Sequence, residues 1–370
     1  MNQHPNCDLF CRVIDNYGDI GVCWRLARQL SAEHGWHIRL WVDDTDACEQ
    51  LTHGAKPKGI ELHAWTADFP ILTPASIVIE AFACELPESY LAAMAAMPTK
   101  PVWLNLEYLC VEDWGPGFHL QPSPHPRLPL LKHFFVPGIL PGTGGVLREK
   151  DLLAQKRAFD DETVRRSYAA DTSGRWIFLF CYDNPALTHL LDIWANGEQT
   201  THCLVSAGKA NAQVANWLGQ ALLPGQTLRR GNLVLHVLPF VAQHEFDALL
   251  WTCDLNFVRG EDSFCRALWS DLPFVWHIYP QEAQDNAHHA KLDAFYRHYA
   301  ALGQAGAALT DFSRLWNGIT EPTPRSLALA WEALEAELPA LNLHAQAWRT
   351  QLENLGDLAG NLAAFCQQNN

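Results

Sequence analysis

Apolar and polar positions over the first 110 residues alternate between short extended runs and longer helical repeats. Asp8–Ile14 is a short, mainly apolar run ending in the turn-rich Asp15-Asn16-Tyr17-Gly18-Asp19. Apolar residues then recur at helical spacing from Val22 through Leu26 to Leu30. Trp36–Val42, Ile60–Trp65, Ile77–Phe82 and Val102–Leu106 are further runs of strand type. This β-α-β alternation predicts a parallel sheet covered by helices.

The texture changes between Gly115 and Gly145, where Pro116, Pro122, Pro124, Pro126, Pro129, Pro137 and Pro141 interleave with glycines. Proline lacks an N–H and fixes φ, so the stretch is expected to be a long loop and linker. Gly142-Thr143-Gly144-Gly145 has no strand before it or helix after it, and reads as linker rather than dinucleotide fingerprint. Strand patterns resume at Trp176–Tyr182, His202–Ser206, Leu233–Phe240, Asp254–Arg259 and Pro273–Ile278. Helices are predicted at Ala186–Trp194, Ala210–Leu222, Gln243–Trp251 and Asp262–Trp269, with a helical tail over Leu327–Phe365. The expected organisation is a Rossmann-like domain over 1–145, a second over 146–350, and a C-terminal helix over 351–370 packing back on the first. Such a tandem is the α/β architecture named GT-B, with two Rossmann-like domains facing a central cleft. Some epimerases and binding proteins share it, so fold alone does not decide function.

Composition narrows the class. Hydrophobic residues at 48% and charged residues at 18% describe a globular chain of two-domain size. A net charge of −15 argues against nucleic-acid binding and permits a cationic partner. The eleven cysteines are scattered and include no C-x-x-C pair, which fits a reducing cytoplasm. No apolar stretch reaches the length of a membrane span, and the polar start lacks the apolar core of a signal peptide.

Two loops could carry chemistry. Asp15, Asn16, Tyr17, Gly18 and Asp19 follow the first strand, where doubly wound sheets bind ligands, although Asp and Asn are also ordinary turn and capping residues. Arg259, Gly260, Glu261, Asp262 and Ser263 join a strand to a helix. A cation, a glycine and a helix N-terminus suit a diphosphate; an acidic first helical turn is the plainer reading. Tyr182, Phe240, Gln243 and Phe246 stand near strand ends, placed to hold a pyrimidine base or simply to pack. No H-E-x-x-H, Walker loop, G-x-S-x-G elbow or zinc spacing occurs, so no metal and no cofactor are expected.

Asp15–Val22 (DNYGDIGV) together with Arg259–Ser263 (RGEDS) resembles the EarP family of protein-arginine rhamnosyltransferases, as do Asn105–Tyr108 (NLEY) and Trp276–Gln281 (WHIYPQ). The similarity extends over nearly the whole chain. It implies a GT-B fold, dTDP-β-L-rhamnose as donor, and a loop arginine of elongation factor P as acceptor, rhamnosylated with inversion. It further implies that Asp15, Asp19 and Glu261 are the essential carboxylates, with Asp19 the general base. Tyr182, Phe240, Gln243, Arg259, Asp262 and Ser263 would hold the nucleotide, with Asn16, Tyr17, Gly18, Phe246 and Gly260 completing the binding set. Two other readings stay open: an inverting GT-B transferase acting on a cell-envelope acceptor, and a non-catalytic sensor of dTDP-sugars.

Overall fold

Strands and helices alternate through the computed structural model, which describes residues 5–14, 17–70, 72–280, 286–300 and 303–369. The chain divides into two units, Met1–Leu152 with Gln351–Asn370, and Leu153–Thr350. The first unit runs through β1 (Asn6–Cys11), α1 (Gly18–His34), β2 (His37–Val42), α2 (Thr45–Thr52), β3 (Ile60–Ala64), β4 (Ile77–Ala81), α3 (Glu88–Ala96), β5 (Val102–Leu106), α4 (Gly115–Phe118), β6 (Pro122–Pro124) and β7 (Leu131–Phe135). These strands form one seven-stranded sheet in the order β3-β2-β1-β4-β5-β7-β6, parallel except at the β6 edge. Strand order reverses between β1 and β4, the switch point at which a doubly wound sheet opens a crevice beyond its carboxyl ends.

Both faces of this sheet are covered, so its central strands are apolar almost throughout rather than alternating. One face sets Leu9, Cys11, Ile79 and Leu104 against Cys23, Leu26 and Leu30 of α1. The other packs Phe10, Trp41, Val78 and Trp103 with Tyr90 and Met94 of α3. Asp8 interrupts the pattern as a fully buried carboxylate on β1. It accepts from Arg39 Nε and Nη2 at 2.5 and 2.6 Å, Trp41 Nε1 at 3.2 Å, Ala75 N at 2.9 Å, and the Tyr90 hydroxyl. A charge is tolerable there because it is paired and richly hydrogen-bonded.

The second unit follows with α5 (Leu152–Ala158), α6 (Asp161–Tyr168), β8 (Arg175–Leu179), α7 (Leu187–Asn196), β9 (Thr201–Val205), α8 (Lys209–Leu218), β10 (Thr227–Arg230) and β11 (Leu233–Val237). A 3-10 turn at Gln243–Glu245 leads into α9 (Phe246–Thr252), β12 (Leu255–Arg259), α10 (Asp262–Trp269), β13 (Phe274–His277), α11 (Ala287–Tyr299), α12 (Gln304–Trp316) and α13 (Pro324–Glu353). Its six-stranded sheet has the order β10-β11-β9-β8-β12-β13, parallel except for β10, and its switch point lies between β8 and β12. Phe257 of β12 meets Trp194 and Trp316 edge-on at 5.9 and 4.8 Å, anchoring α7 and α12 to the sheet.

The proline-rich stretch is more than the loop and linker that its composition suggests. Leu131–Phe135 enters the sheet as β7, and Pro122 and Pro124 sit on the edge strand β6, where a missing N–H is tolerated. Gly144 lies so close to Phe135 that a Cβ would meet the ring at 2.6 Å. Val146 and Leu147 are buried, Leu147 in the first unit's core, while Val146 bridges to Asp357, so residues 146–152 group with the first sheet rather than the second. The helical tail breaks at Gly356, whose φ of +76° suits glycine, before α14 (Leu358–Asn369). α14 buries Leu358, Leu362 and Cys366 in the core that holds Leu26 and Leu30. All eleven cysteines are free, and no described helix is long and apolar enough to cross a membrane.

Candidate active site

In the first unit the loop after β1 opens at the β1/β4 switch point. Asp19, in the first turn of α1, is only 4% exposed, and its Oδ2 accepts the Ile14 N–H at 2.8 Å. It is therefore a buried carboxylate tied back to the strand end, near the favourable pole of the helix, rather than a solvated turn residue. Gly18 is the first residue of α1 and is helical. The Tyr17 hydroxyl donates to Gln50 Oε1, and the Tyr17 carbonyl accepts the Gly21 N–H at 2.9 Å. Asp15 and Asn16, and Gln281 of the WHIYPQ run, lie outside the described residues.

The loop after β4 faces the same crevice. Phe82, Ala83 and Glu85 have φ values of 58, 52 and 54°, a left-handed conformation that costs non-glycine residues energy and is commonest at functional sites. The Phe82 N–H bonds to Leu106 O at 2.7 Å and the Ala83 N–H to Asn105 Oδ1 at 3.0 Å, which holds the loop in place. Asn105 also donates to Glu107 Oε1, and burial pushes the Glu107 carboxyl above its ordinary value. Tyr108 stacks on Phe82 at 4.4 Å. The NLEY stretch thus supports one side of the acidic crevice.

In the second unit, Arg259 ends β12 beside the β8/β12 switch point. Its guanidinium lies over the rings of Phe180 at 4.4 Å and Tyr182 at 4.8 Å, and Nη1 reaches Cys181 O at 3.4 Å. Two rings and a carbonyl fix the plane of the cation before any ligand arrives. The Arg259 N–H bonds to Ser263 Oγ at 3.0 Å, and Ser263 Oγ donates to Arg259 O, fastening the first turn of α10 to the strand end. Between them Gly260 has φ +62°; Trp276 Nε1 donates to its carbonyl at 2.7 Å and its N–H bonds to His277 O at 3.2 Å.

The two carboxylates of the turn are both engaged. Gln243 Nε2 bonds to Asp262 Oδ2 at 3.0 Å, while Glu261 Oε1 pairs with Lys291 Nζ of α11 at 2.9 Å. Glu261 is the N-cap of α10 but makes no side-chain capping bond. Phe246 packs edge-on against Phe178 and Phe180, both at 5.4 Å, so it backs the ring under Arg259. Phe240 is 40% exposed, as an aromatic ring offered to a flat ligand would be. His277 completes the wall: it meets Tyr182 edge-on at 5.3 Å, and burial, with Arg259 and His288 nearby, lowers it from 6.5 to about 3.

A cation clamped at a switch point beside a helix N-terminus suits a nucleotide diphosphate, and residues 7–367 match the family of elongation-factor-P (EF-P) rhamnosyltransferases, EarP. The chain belongs to the EarP family. The protein-arginine rhamnosyltransferase of Pseudomonas putida is 45% identical to it, over 97% of each chain. A solved structure described as the structural basis for EarP-mediated arginine glycosylation of translation elongation factor EF-P superimposes with a TM-score of 0.69 and 35% identity, over 98% of this chain and 99% of that one. The spinosyn rhamnosyltransferase SpnG, 12% identical with a TM-score of 0.57 over 97% and 99% of the two chains, is alike in fold alone. The EarP family is thus one of glycosyltransferases with the GT-B fold, and this chain has that fold.

Within this EarP chain, three features escaped the sequence. Phe180 forms half of the Arg259 clamp, and its place one residue beyond β8 and two before Tyr182 was the available signal. The strained Phe82–Glu85 loop contains no glycine to mark it. Lys291 comes from a helix the apolar pattern did not single out.

Proposed function

We propose that the chain transfers L-rhamnose from dTDP-β-L-rhamnose to a loop arginine of elongation factor P, with inversion, in the cytoplasm where translation takes place, and so activates the factor for ribosomes stalled at polyproline. The observation that carries this reading is the match of residues 7–367 to the EF-P rhamnosyltransferases. The geometry supports the chemistry. Arg259, held by Phe180 and Tyr182 beside the N-terminus of α10, supplies positive charge for a departing diphosphate. Phe240, Gln243 and Tyr182 are the groups we assign to the thymine base and its sugar, with Asp262 and Ser263 fixing the turn.

The acceptor sets the harder problem. A guanidinium has a pKa above 12, so full deprotonation near neutral pH would cost on the order of 7–8 kcal/mol at 1.36 kcal/mol per pKa unit. Free guanidine is therefore not the working nucleophile. Asp19 and Asp15 are the carboxylates we assign to the guanidinium, with Glu261 the third carboxylate that the family resemblance implies, and Asp19 accepts a proton as the bond from Nη to the anomeric carbon forms. The bond from the anomeric carbon to the diphosphate oxygen breaks as its electron pair leaves with dTDP. The rhamnosyl-arginine keeps its single positive charge.

Since the chain's own cations face the leaving group, we expect turnover without a metal ion; abolition by EDTA with recovery on magnesium would overturn that part. The decisive experiment is intact-protein mass spectrometry of elongation factor P incubated with the protein and dTDP-L-rhamnose, beside a no-enzyme control. Gain of one deoxyhexose, mapped to a loop arginine, is the expected result. No gain, with donor binding verified, would point to another acceptor, such as an envelope glycan, or to a sensor.

A further inference from the structure

The turn assigned to the diphosphate has an electrostatic difficulty. Arg259 is followed two and three residues later by Glu261 and Asp262, so the turn by itself carries one positive and two negative side chains next to a binding site for an anion. Asp262 has part of its charge dispersed by the Gln243 amide at 3.0 Å. Glu261 is engaged differently, by the Lys291 ammonium at 2.9 Å. Their side chains are 21% and 19% exposed, so this pair lies largely out of solvent, unlike the surface pairs whose contribution is close to nothing. Lys291 stands on α11, thirty positions along the chain, and brings the formal sum of Arg259, Lys291, Glu261 and Asp262 from −1 to zero.

We infer that Lys291 is a further donor-site residue: a positioning cation that holds Glu261 in place and cancels its charge, so that the turn accepts a nucleoside diphosphate. This rests on the reading that Arg259 and α10 receive the diphosphate. The charge argument is specific. An uncompensated carboxylate at this turn repels the two phosphates and leaves a base or nucleoside untouched, because only the former carries charge. A lysine that merely tied α11 to α10 would, on removal, loosen the whole pocket and weaken both alike.

Calorimetric titration of the full-length protein with dTDP and, separately, with thymidine distinguishes the two. Lys291→Met is expected to weaken dTDP at least about tenfold, the effect of one unit charge on another about 12 Å away at an effective dielectric of about 20, and to leave thymidine within about twofold. Lys291→Arg should recover most of the dTDP affinity. Adding Glu261→Gln to Lys291→Met should do so too, since the stranded carboxylate is then gone; this double variant also keeps the test open if the single one folds poorly. In turnover, Lys291→Met should raise the donor KM more than it lowers kcat. Arg259→Ala is the control on the underlying reading. Loss of dTDP affinity in Arg259→Ala with none in Lys291→Met would overturn the inference alone, as would equal losses for dTDP and thymidine in Lys291→Met. Unchanged dTDP affinity in Arg259→Ala would remove the diphosphate from this turn, and the role of Lys291 with it.

Discussion

His277 should make the second unit acid-sensitive, and the size of the effect follows from its surroundings. The imidazole is 6% exposed, and its Nδ1 is buried with no hydrogen-bond partner among the described residues. Burial, then the charges of Arg259 and His288, lower it from 6.5 to about 3. The folded protein therefore holds it neutral while the unfolded chain protonates it below about 6.5. The unfolded state binds the extra proton, so this contribution is intact above pH 6.5 and is lost as pH falls toward 3. At pH 5 the unfolded histidine lies about 1.5 pH units below its titration point, which at 1.36 kcal/mol each is a loss of about 2 kcal/mol relative to pH 8. His277→Phe keeps a ring against Tyr182 and removes both the titration and the orphaned nitrogen. Urea unfolding of both proteins at pH 8, 7, 6 and 5, followed by tryptophan fluorescence, should show the variant losing about 2 kcal/mol less over that range. Taking the difference between variant and parent cancels the contribution of the other histidines. Parallel pH profiles would refute the reasoning, because they would mean that His277 titrates alike in both states.

Three further outcomes are expected. Asp19→Asn keeps an oxygen for the Ile14 N–H but not the basicity, so kcat should fall about 10²–10⁴-fold while calorimetric dTDP affinity stays within about threefold; near-normal kcat would remove Asp19 as the base. Gly260→Ala places a Cβ on a residue at φ +62° and should cost about 1–2 kcal/mol of stability by denaturant melting, with weaker dTDP binding because Arg259 and α10 are fastened across that residue. Asp8→Ala removes the shared acceptor of Arg39, Trp41 Nε1, the Ala75 N–H and the Tyr90 hydroxyl, and a loss of about 2–4 kcal/mol should appear in the same melting assay.

The strand ends were the legible part of this chain, since apolar runs closed by polar turns locate the carboxyl edge of a parallel sheet from local pattern alone. That is why Arg259 to Ser263 could be placed at a strand-to-helix junction, and why Asp262–Trp269 was bounded as it folds. Locally defined chemistry did not carry as far. Asp8 reads as the polar start of a strand, and only the sheet brings Arg39, Trp41, Ala75 and Tyr90 onto it. The proline-rich stretch misled because proline excludes a central strand but not an edge, and β6 is an edge. Helices α2, α3, α11 and α12 had no pattern strong enough to single them out; α3, for instance, buries only Tyr90 and Met94 within its described span.

Donor and acceptor make opposite electrostatic demands, and the two sheets answer them differently. A departing diphosphate needs fixed cations, and the β8/β12 crevice offers Arg259 between two rings at the start of α10. An incoming guanidinium needs carboxylates, and the β1/β4 crevice offers buried Asp19, with Glu107 half-buried behind Asn105. The turn after β12 nevertheless carries two acids, Asp262 on the Gln243 amide and Glu261, which has its own counter-ion in Lys291. If that turn receives the diphosphate as proposed, a carboxylate kept there in a partly buried ion pair argues for a use of its own, such as holding a sugar hydroxyl. On that proposal, charge cancellation by Lys291 would let Glu261 stay there without weakening donor binding.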